Sequence, residues 1–436
     1  MASAKPAGQL NALDRREIMA LLAGIPLAGL GGCSRGDRGP GVLTLWTVQL
    51  SPQFDDYVRA MLAAFEASRP GTTVRWIDVP WADVERKLLA AVAAGTAPDV
   101  VNLNPQFAAR LAQADALVDP SPYISEVERL AYVPSAWHGN RYQGRLFALP
   151  WYLSTPITII NRAMLDAANM APPTRMAQLP SFAVEMRRRI GKYAYYPVLD
   201  SSRPLEDLVL LGARLLNANG EGAGFDTPAG RDAFAFYRDL YQSGAVPRDV
   251  LTGGQQKSVD LFQSGQLAML VTGMEVLDTI RLNAPSLWPN VDVASQLVGA
   301  DVPPSIAAMN LAVPRSAPDK EAAFALAKFV TGATWQSRLA LRAPILPSAI
   351  ASLTSAPFGR SGRQEGIVEQ ARAISVAQLR RGAVLIPTLP SYNKLRSSLQ
   401  RGIQSAMIGK LSVDEAVSQS ARAWDALLSH DSGTGR

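Results

Sequence analysis

The chain has 436 residues, 48% hydrophobic and 18% charged; this excludes a disordered protein and exceeds what one core usually serves, so about two domains are expected. The net charge of +6 is scattered, the clusters Arg187–Arg189 and Arg380–Arg381 are short, and no basic stretch interleaved with aromatics points to nucleic acid. A lone cysteine, Cys33, leaves disulfides no part.

Residues 1–33 read as a leader outside the fold. Lys5, Arg15 and Arg16 make a positive start, and Ile18–Leu30 is apolar but short for an ordinary membrane span. The leader ends Leu30-Gly31-Gly32-Cys33 and resembles the bacterial lipoprotein signal, in which the cysteine is lipidated and becomes the mature N-terminus. Arg15-Arg16 also resembles a twin-arginine export signal, from which Asp14 departs. Residues 34–41 form a polar, Gly-rich tether.

Val42–Val48 alternates as a strand does, and Tyr57, Met61 and Phe65 place one apolar face on a helix that Arg69-Pro70-Gly71 ends. Thr72–Val79 is a second strand, Asp83–Ala94 a helix closed by Gly95, and Pro98–Leu103 a third, buried strand. This alternation implies a largely parallel sheet with covering helices, whose ligands sit beyond the carboxyl ends of its strands. Those ends carry Gln49 and Ser51, then Asn104 and Gln106, all neutral hydrogen-bonding residues.

Arg145–Leu165 reads as a crossing between lobes. An apolar run stops at Pro150, Trp151 and Tyr152 follow at the break, and β-branched Ile157–Ile160 is a buried strand. Clefts between domains are preferred small-ligand sites. Beyond the crossing, Ser181–Ile190, Leu205–Asn217, Ala229–Ser243 and Val259–Ser264 read as helices. Tyr193–Asp200, Leu267–Val271 and Met309–Val313 read as strands. Asp319 caps a helix over Lys320–Val330, and Ser412 with Glu415 forms a capping box before the stripe Val413, Val417, Ala421, Trp424, Leu428.

No metal or cofactor is expected. His138 and His430 have no ligand-spaced partner, and neither a phosphate-binding loop nor a nucleophile elbow is present. A secreted glycosidase stays open as an alternative, because its two carboxylates need no motif.

Five segments stand out together: Lys87–Asn104; the crossover Gln143–Asn161; Phe225–Pro228 with Ala233, Phe236, Leu240 and Gly244; Leu261–Gly273; and Asp319–Gln336. In this order they resemble blocks of the bacterial extracellular solute-binding proteins, family 1, that serve sugar ABC transporters. The resemblance implies an α/β fold of the two-lobed periplasmic-binding-protein type II kind. Each lobe would be a mostly parallel sheet flanked by helices, with the ligand cleft between lobes that close by a hinge. The lobes are expected at 42–152 plus 308–330 and at 153–307 plus 331–430.

Carried over position by position, the resemblance puts Trp151 and Tyr152 at a ligand-facing aromatic site and keeps Asn104, Gln106, Gln49 and Ser51 at strand ends. It adds Asp200, Glu275 and Tyr392, and Met309 where many sugar binders carry Trp. Trp151→Ala is then expected to weaken binding by at least an order of magnitude with the fold intact. Met274 and Ala307-Ala308-Met309 replace aromatic platforms of the family, which argues against a long oligosaccharide. The implied protein is a monomer in the cell envelope, held to a membrane through Cys33, that passes a mono- or disaccharide-sized glycoside or osmolyte to permease subunits. A phosphorylated polyol such as glycerol phosphate is the alternative, and it would need Arg203 or Arg342 in the cleft. Ligand presentation to a membrane receptor is a further one.

Overall fold

The computed structural model describes residues 41–355, 366–389 and 391–433, with Gly39 and Phe358. Arg15, Arg16 and Cys33 lie outside the described residues. The strands that matter here are β1 (Val42–Val48), β2 (Thr73–Val79), β3 (Val100–Leu103), β4 (Leu149–Ser154), β5 (Ile157–Asn161), β6 (Met269–Thr272), β7 (Val291–Ser295), β8 (Ala307–Ala312) and β9 (Leu346–Pro347). The helices are α1 (Asp55–Ser68), α2 (Val84–Ala93), α3 (Pro105–Gln113), α4 (Pro134–Gly139), α5 (Arg203–Leu210), α6 (Pro228–Gln242), α7 (Lys320–Val330), α8 (Ala333–Ala340), α9 (Ile367–Leu379), α10 (Tyr392–Met407) and α11 (Val413–Gly433).

One sheet runs β9-β4-β8-β3-β1-β2, and a second runs β6-β5-β7. Between them stand the short crossings Thr155-Pro156 and Gln296–Ile306. The fold is thus the expected two-lobed α/β arrangement, but its strands are less parallel than the alternation implied. Only β1 pairs in parallel, with β2 and β3; β8 is antiparallel to β3 and β4, and β5 is antiparallel to both its neighbours. The cause is the double crossing. β5 leaves the hinge for the second lobe, and β7 must run back toward it, so the two lie head to tail.

Pro150 sits inside β4 rather than ending a strand. A proline in a paired strand needs a place where the ladder is interrupted. Here β8 is irregular at Met309/Asn310, with Asn310 opposite Pro150, and β9 pairs only with Tyr152 and Leu153. Tyr193–Asp200 forms no named strand; only Tyr193 bridges to Leu267.

In the first lobe, α1 buries Tyr57, Val58, Met61, Leu62 and Phe65, as its four-residue spacing predicts. Phe65 packs edge-on against Phe329 at 5.3 Å, and the Tyr57 hydroxyl donates to the Trp335 carbonyl at 2.9 Å. Trp335, Leu339 and Ala343 therefore belong to the first core, and β9 to the first sheet. Part of the segment expected in the second lobe thus lies against the first: α8 packs on α1 with Tyr57 edge-on to Trp335 at 6.0 Å, and β9 pairs with β4. The second core joins β5, β6 and α6 to α10 and α11, with Trp424 edge-on to Phe225 at 5.0 Å and its indole donating to the Leu395 carbonyl. Asp319 and the Ser412/Glu415 box cap as predicted. No helix among the described residues is long and apolar enough to cross a membrane.

Candidate functional site

Between the lobes lies a cavity of about 310 Å³. Its first wall belongs to the first lobe. β3 is followed directly by Asn104, whose side chain accepts from the Phe107 N–H at 2.8 Å and caps α3, with Pro105 at the first helical position. That cap turns the chain so that Asn104 and Gln106 face the cavity, beside the ion pair Arg110–Glu85 at 2.8 Å. Against them sits a buried amide cluster, of which Asn140 also lines the cavity. Asn140 donates to the Asn310 side-chain oxygen at 2.6 Å, and Asn102 donates to the Asn310 carbonyl at 3.1 Å.

The opposite wall starts from α5 and α10. Ser202 donates to Glu206 at 3.0 Å, and Tyr392 and Asn393 stand beside them. Burial pushes the Tyr392 phenol up to about 12; the Arg396 guanidinium opposes this rise and the Glu206 carboxylate adds to it more weakly. Under this wall Arg203 pairs with Asp207 at 2.7 Å, and the Tyr237 hydroxyl donates to Asp207 at 2.6 Å. Arg203 and Asp207 are 8% and 0% exposed, so each charge depends on the other for solvation. Ile306, Ala307, Ala308, Val384, Leu385 and Ile386 complete the lining with an aliphatic side.

The hinge is built from two buried glutamines. The Gln378 amide donates to Thr155 Oγ1 and to the Pro156 carbonyl, both at 2.9 Å, and its oxygen accepts from the Gln296 N–H. Gln296 in turn holds both backbone groups of Ser305, at 3.0 and 3.1 Å. One side chain from α9 thus ties together both strands of the crossing.

Of the residues expected at the site, the structure gathers Asn104, Gln106 and Tyr392 at the cavity. Trp151 has no exposed surface and packs in the first core, with Tyr152 edge-on at 5.2 Å. β4 simply turns its Trp151 side toward the helices. Tyr152 is half-buried, and burial together with nearby Asp78 holds its phenol well above the ordinary value. Gln49 and Ser51 form an exposed turn pinned by Asp78, which accepts from Thr47 Oγ1 at 2.6 Å and from the Leu50 and Ser51 N–H groups at 3.1 Å. Gln49 there adopts the left-handed conformation, φ 53°.

Asp200 is exposed, with its carbonyl held by Arg396. Glu275 reaches solvent; its carboxyl folds back over Gly273 and is crowded enough that lost hydration raises its pKa. Met309 lies opposite Tyr152 at the strand irregularity. None of these seven lines the cavity. Sequence reasoning missed Glu206, Val384 and the glutamine hinge. Only Glu206 left a signal, as a carboxylate in the first turn of a helix next to the flagged Asp200.

Residues 51–337 match the sequence model of the bacterial extracellular solute-binding proteins. The chain belongs to that family. This solute-binding protein is 38% identical to a candidate oligosaccharide periplasmic-binding protein of Synechococcus sp. MITs9220, over 89% of this chain and 99% of that one, with a TM-score of 0.81. The sugar-binding protein MalE of Xanthomonas citri shares the fold at 22% identity, over 89% and 98% of the two chains, with a TM-score of 0.76. A mannitol-binding protein of Pseudomonas aeruginosa is 22% identical over 87% of this chain and 91% of its own.

Proposed function

We propose that this solute-binding protein captures a small neutral glycoside or sugar between its lobes and hands it to the membrane permease of an ABC importer. The ligand is mono- or disaccharide in size, an osmolyte such as a glycosylated polyol, sucrose or trehalose among the candidates. The carrying observation is the cavity of about 310 Å³ walled by both lobes. Its size is at the low end of small-molecule pockets, roughly 300–1,000 Å³. Its polar side offers Asn104, Gln106, Ser202 and Tyr392, groups that exchange hydrogen bonds with hydroxyls. Its aliphatic side suits the C–H face of a ring. The names of the Synechococcus and Pseudomonas relatives, an oligosaccharide-binding and a mannitol-binding protein, support the carbohydrate or polyol class, while the size rests on the cavity. Ligand that touches both walls favours the closed state, which a permease can select. In this reading Cys33 carries the lipid that keeps the protein at the envelope.

The phosphorylated polyol has less support. Arg203 is buried and neutralised by Asp207, Arg342 is exposed on the first lobe, and the cavity's arginine among the described residues, Arg110, is paired to Glu85. The test is a thermal-shift screen followed by calorimetry with glucose, sucrose, trehalose, mannitol, maltotriose and glycerol 3-phosphate. A bound ligand at a hundred times its Kd stabilises by about 2.7 kcal/mol. A mono- or disaccharide or polyol is expected to shift the melt most. Tighter binding of maltotriose than of every disaccharide, response to glycerol phosphate alone, or turnover of a chromogenic glycoside would each overturn the reading.

A further inference from the structure

We propose that Val384, seated on Gly139, is a partition that sets the length of ligand this protein accepts; the proposal rests on the sugar-binding reading above. A second cavity, about 330 Å³, lies beside the first and is walled by Ser135, His138, Arg141 and Thr388. Gly139, Val384 and Ile386 line both, so they form the wall that the two chambers share.

The wall is tight. A Cβ placed on Gly139 would stand 2.7 Å from Val384 Cγ2 and 3.2 Å from Val384 Cβ. Gly139 is not among the left-handed glycines, so its backbone makes no demand for glycine. The demand comes from the approach of Val384, and a β-branched side chain, stiff at χ1, cannot swing aside cheaply.

The partition is also fixed in place from the hinge and from the first lobe. Val384 rides on the strap between α9 and α10. On the hinge side the Ala383 N–H donates to the Pro304 carbonyl at 2.9 Å, and the Ile306 N–H donates to the Ala383 carbonyl at 3.0 Å. On the first-lobe side Thr388 Oγ1 donates to the Gly139 carbonyl, and the Leu389 N–H donates to Gln106 Oε1, both at 3.4 Å. A sugar held by Asn104 and Tyr392 therefore shares its cavity with Val384. The space for a further ring lies immediately beyond, lined by hydroxyl, imidazole and guanidinium groups. Shortening Val384 joins the chambers.

The experiment compares the full-length protein with Val384→Ala by calorimetry on glucose, sucrose, trehalose, maltose, maltotriose and raffinose. The variant is expected to bind the next longer sugar about tenfold more tightly than the wild type does, which is the scale on which a pocket reads one or two methyl groups. An unchanged ranking by length overturns the partition. A second arm needs no ligand. Gly139→Ala is expected to hold the lobes apart and raise the radius of gyration in small-angle scattering, and Gly139→Ala with Val384→Gly is expected to restore the wild-type value. Gly139→Ala as compact as the wild type overturns the contact. If no sugar binds the wild type, the sugar-binding reading fails and the length filter with it, while the scattering arm still decides on the Gly139–Val384 contact.

Discussion

The two walls of the cavity are held by opposite chemistry. Behind the first stands a neutral cluster, Asn102, Asn140 and Asn310, joined by amide hydrogen bonds, with Asn104 capping α3 in front. Behind the second stands a buried ion network, Arg203, Asp207 and Tyr237, with Glu206 at its edge. A neutral cluster loses one bond at a time. An ion network fails as a unit, because removing one partner leaves a charge without solvation. The second wall is therefore the brittle one.

The largest effects test that contrast. Asp207→Ala is expected to cost about 3–5 kcal/mol of stability in urea unfolding, because it strands the Arg203 guanidinium. Arg203→Met together with Asp207→Leu is expected to recover most of it. If Asp207→Ala cost no more than an amide deletion, the contrast would be gone. Trp151→Ala falls in the same range, about 3–5 kcal/mol, for a different reason: it empties the first core. Unlike the loss of a ligand contact, its damage shows in the unfolding curve while sugar affinity of the folded fraction stays near that of the wild type. Tenfold weaker binding with unchanged unfolding would return Trp151 to the site. Asn310→Ala is expected to cost less, roughly 1–3 kcal/mol, as a buried hydrogen-bonded amide does.

The same contrast explains what the sequence could tell. The first wall lies at the end of a βαβ series, where strand periodicity, a cap residue and Pro105 announce themselves locally; Asn104 and Gln106 were legible for that reason. The second wall and the strap are joined by contacts across long stretches of chain. Gln378 reaches Thr155, and Val384 reaches Gly139, without any local pattern to mark them. Trp151 misled because an aromatic at a crossing looks the same whether β4 points it to the cleft or to the helices. That choice is set by which face pairs register with β8, including the irregularity at Met309/Asn310. The packing of α8 on the first lobe was hidden for a similar reason, since nothing before Trp335 signals that α8 doubles back onto α1.

The smallest effect is the sharpest probe of the second wall. Tyr392→Phe removes one hydroxyl from the cavity and is expected to weaken the best-binding sugar of the screen by about tenfold, in line with a bond worth about 1.4 kcal/mol. The wild-type dependence on pH then tests the environment of that hydroxyl. Burial raises the phenol from 10.0 to about 12, against the opposing charge of Arg396 and with a smaller push from Glu206. A donor phenol must be neutral, so affinity is expected to stay flat between pH 7 and pH 10. An ordinary exposed tyrosine would be half-ionised at pH 10 and would lose about twofold there. The stability linked to this group has the same sign: fully present below pH 10.0, it is lost as pH rises through about 12. Affinity that already falls between pH 8 and pH 10 in the wild type, but not in Tyr392→Phe, would place Tyr392 in open solvent, away from the shielded wall that Ser202 and Glu206 make with it.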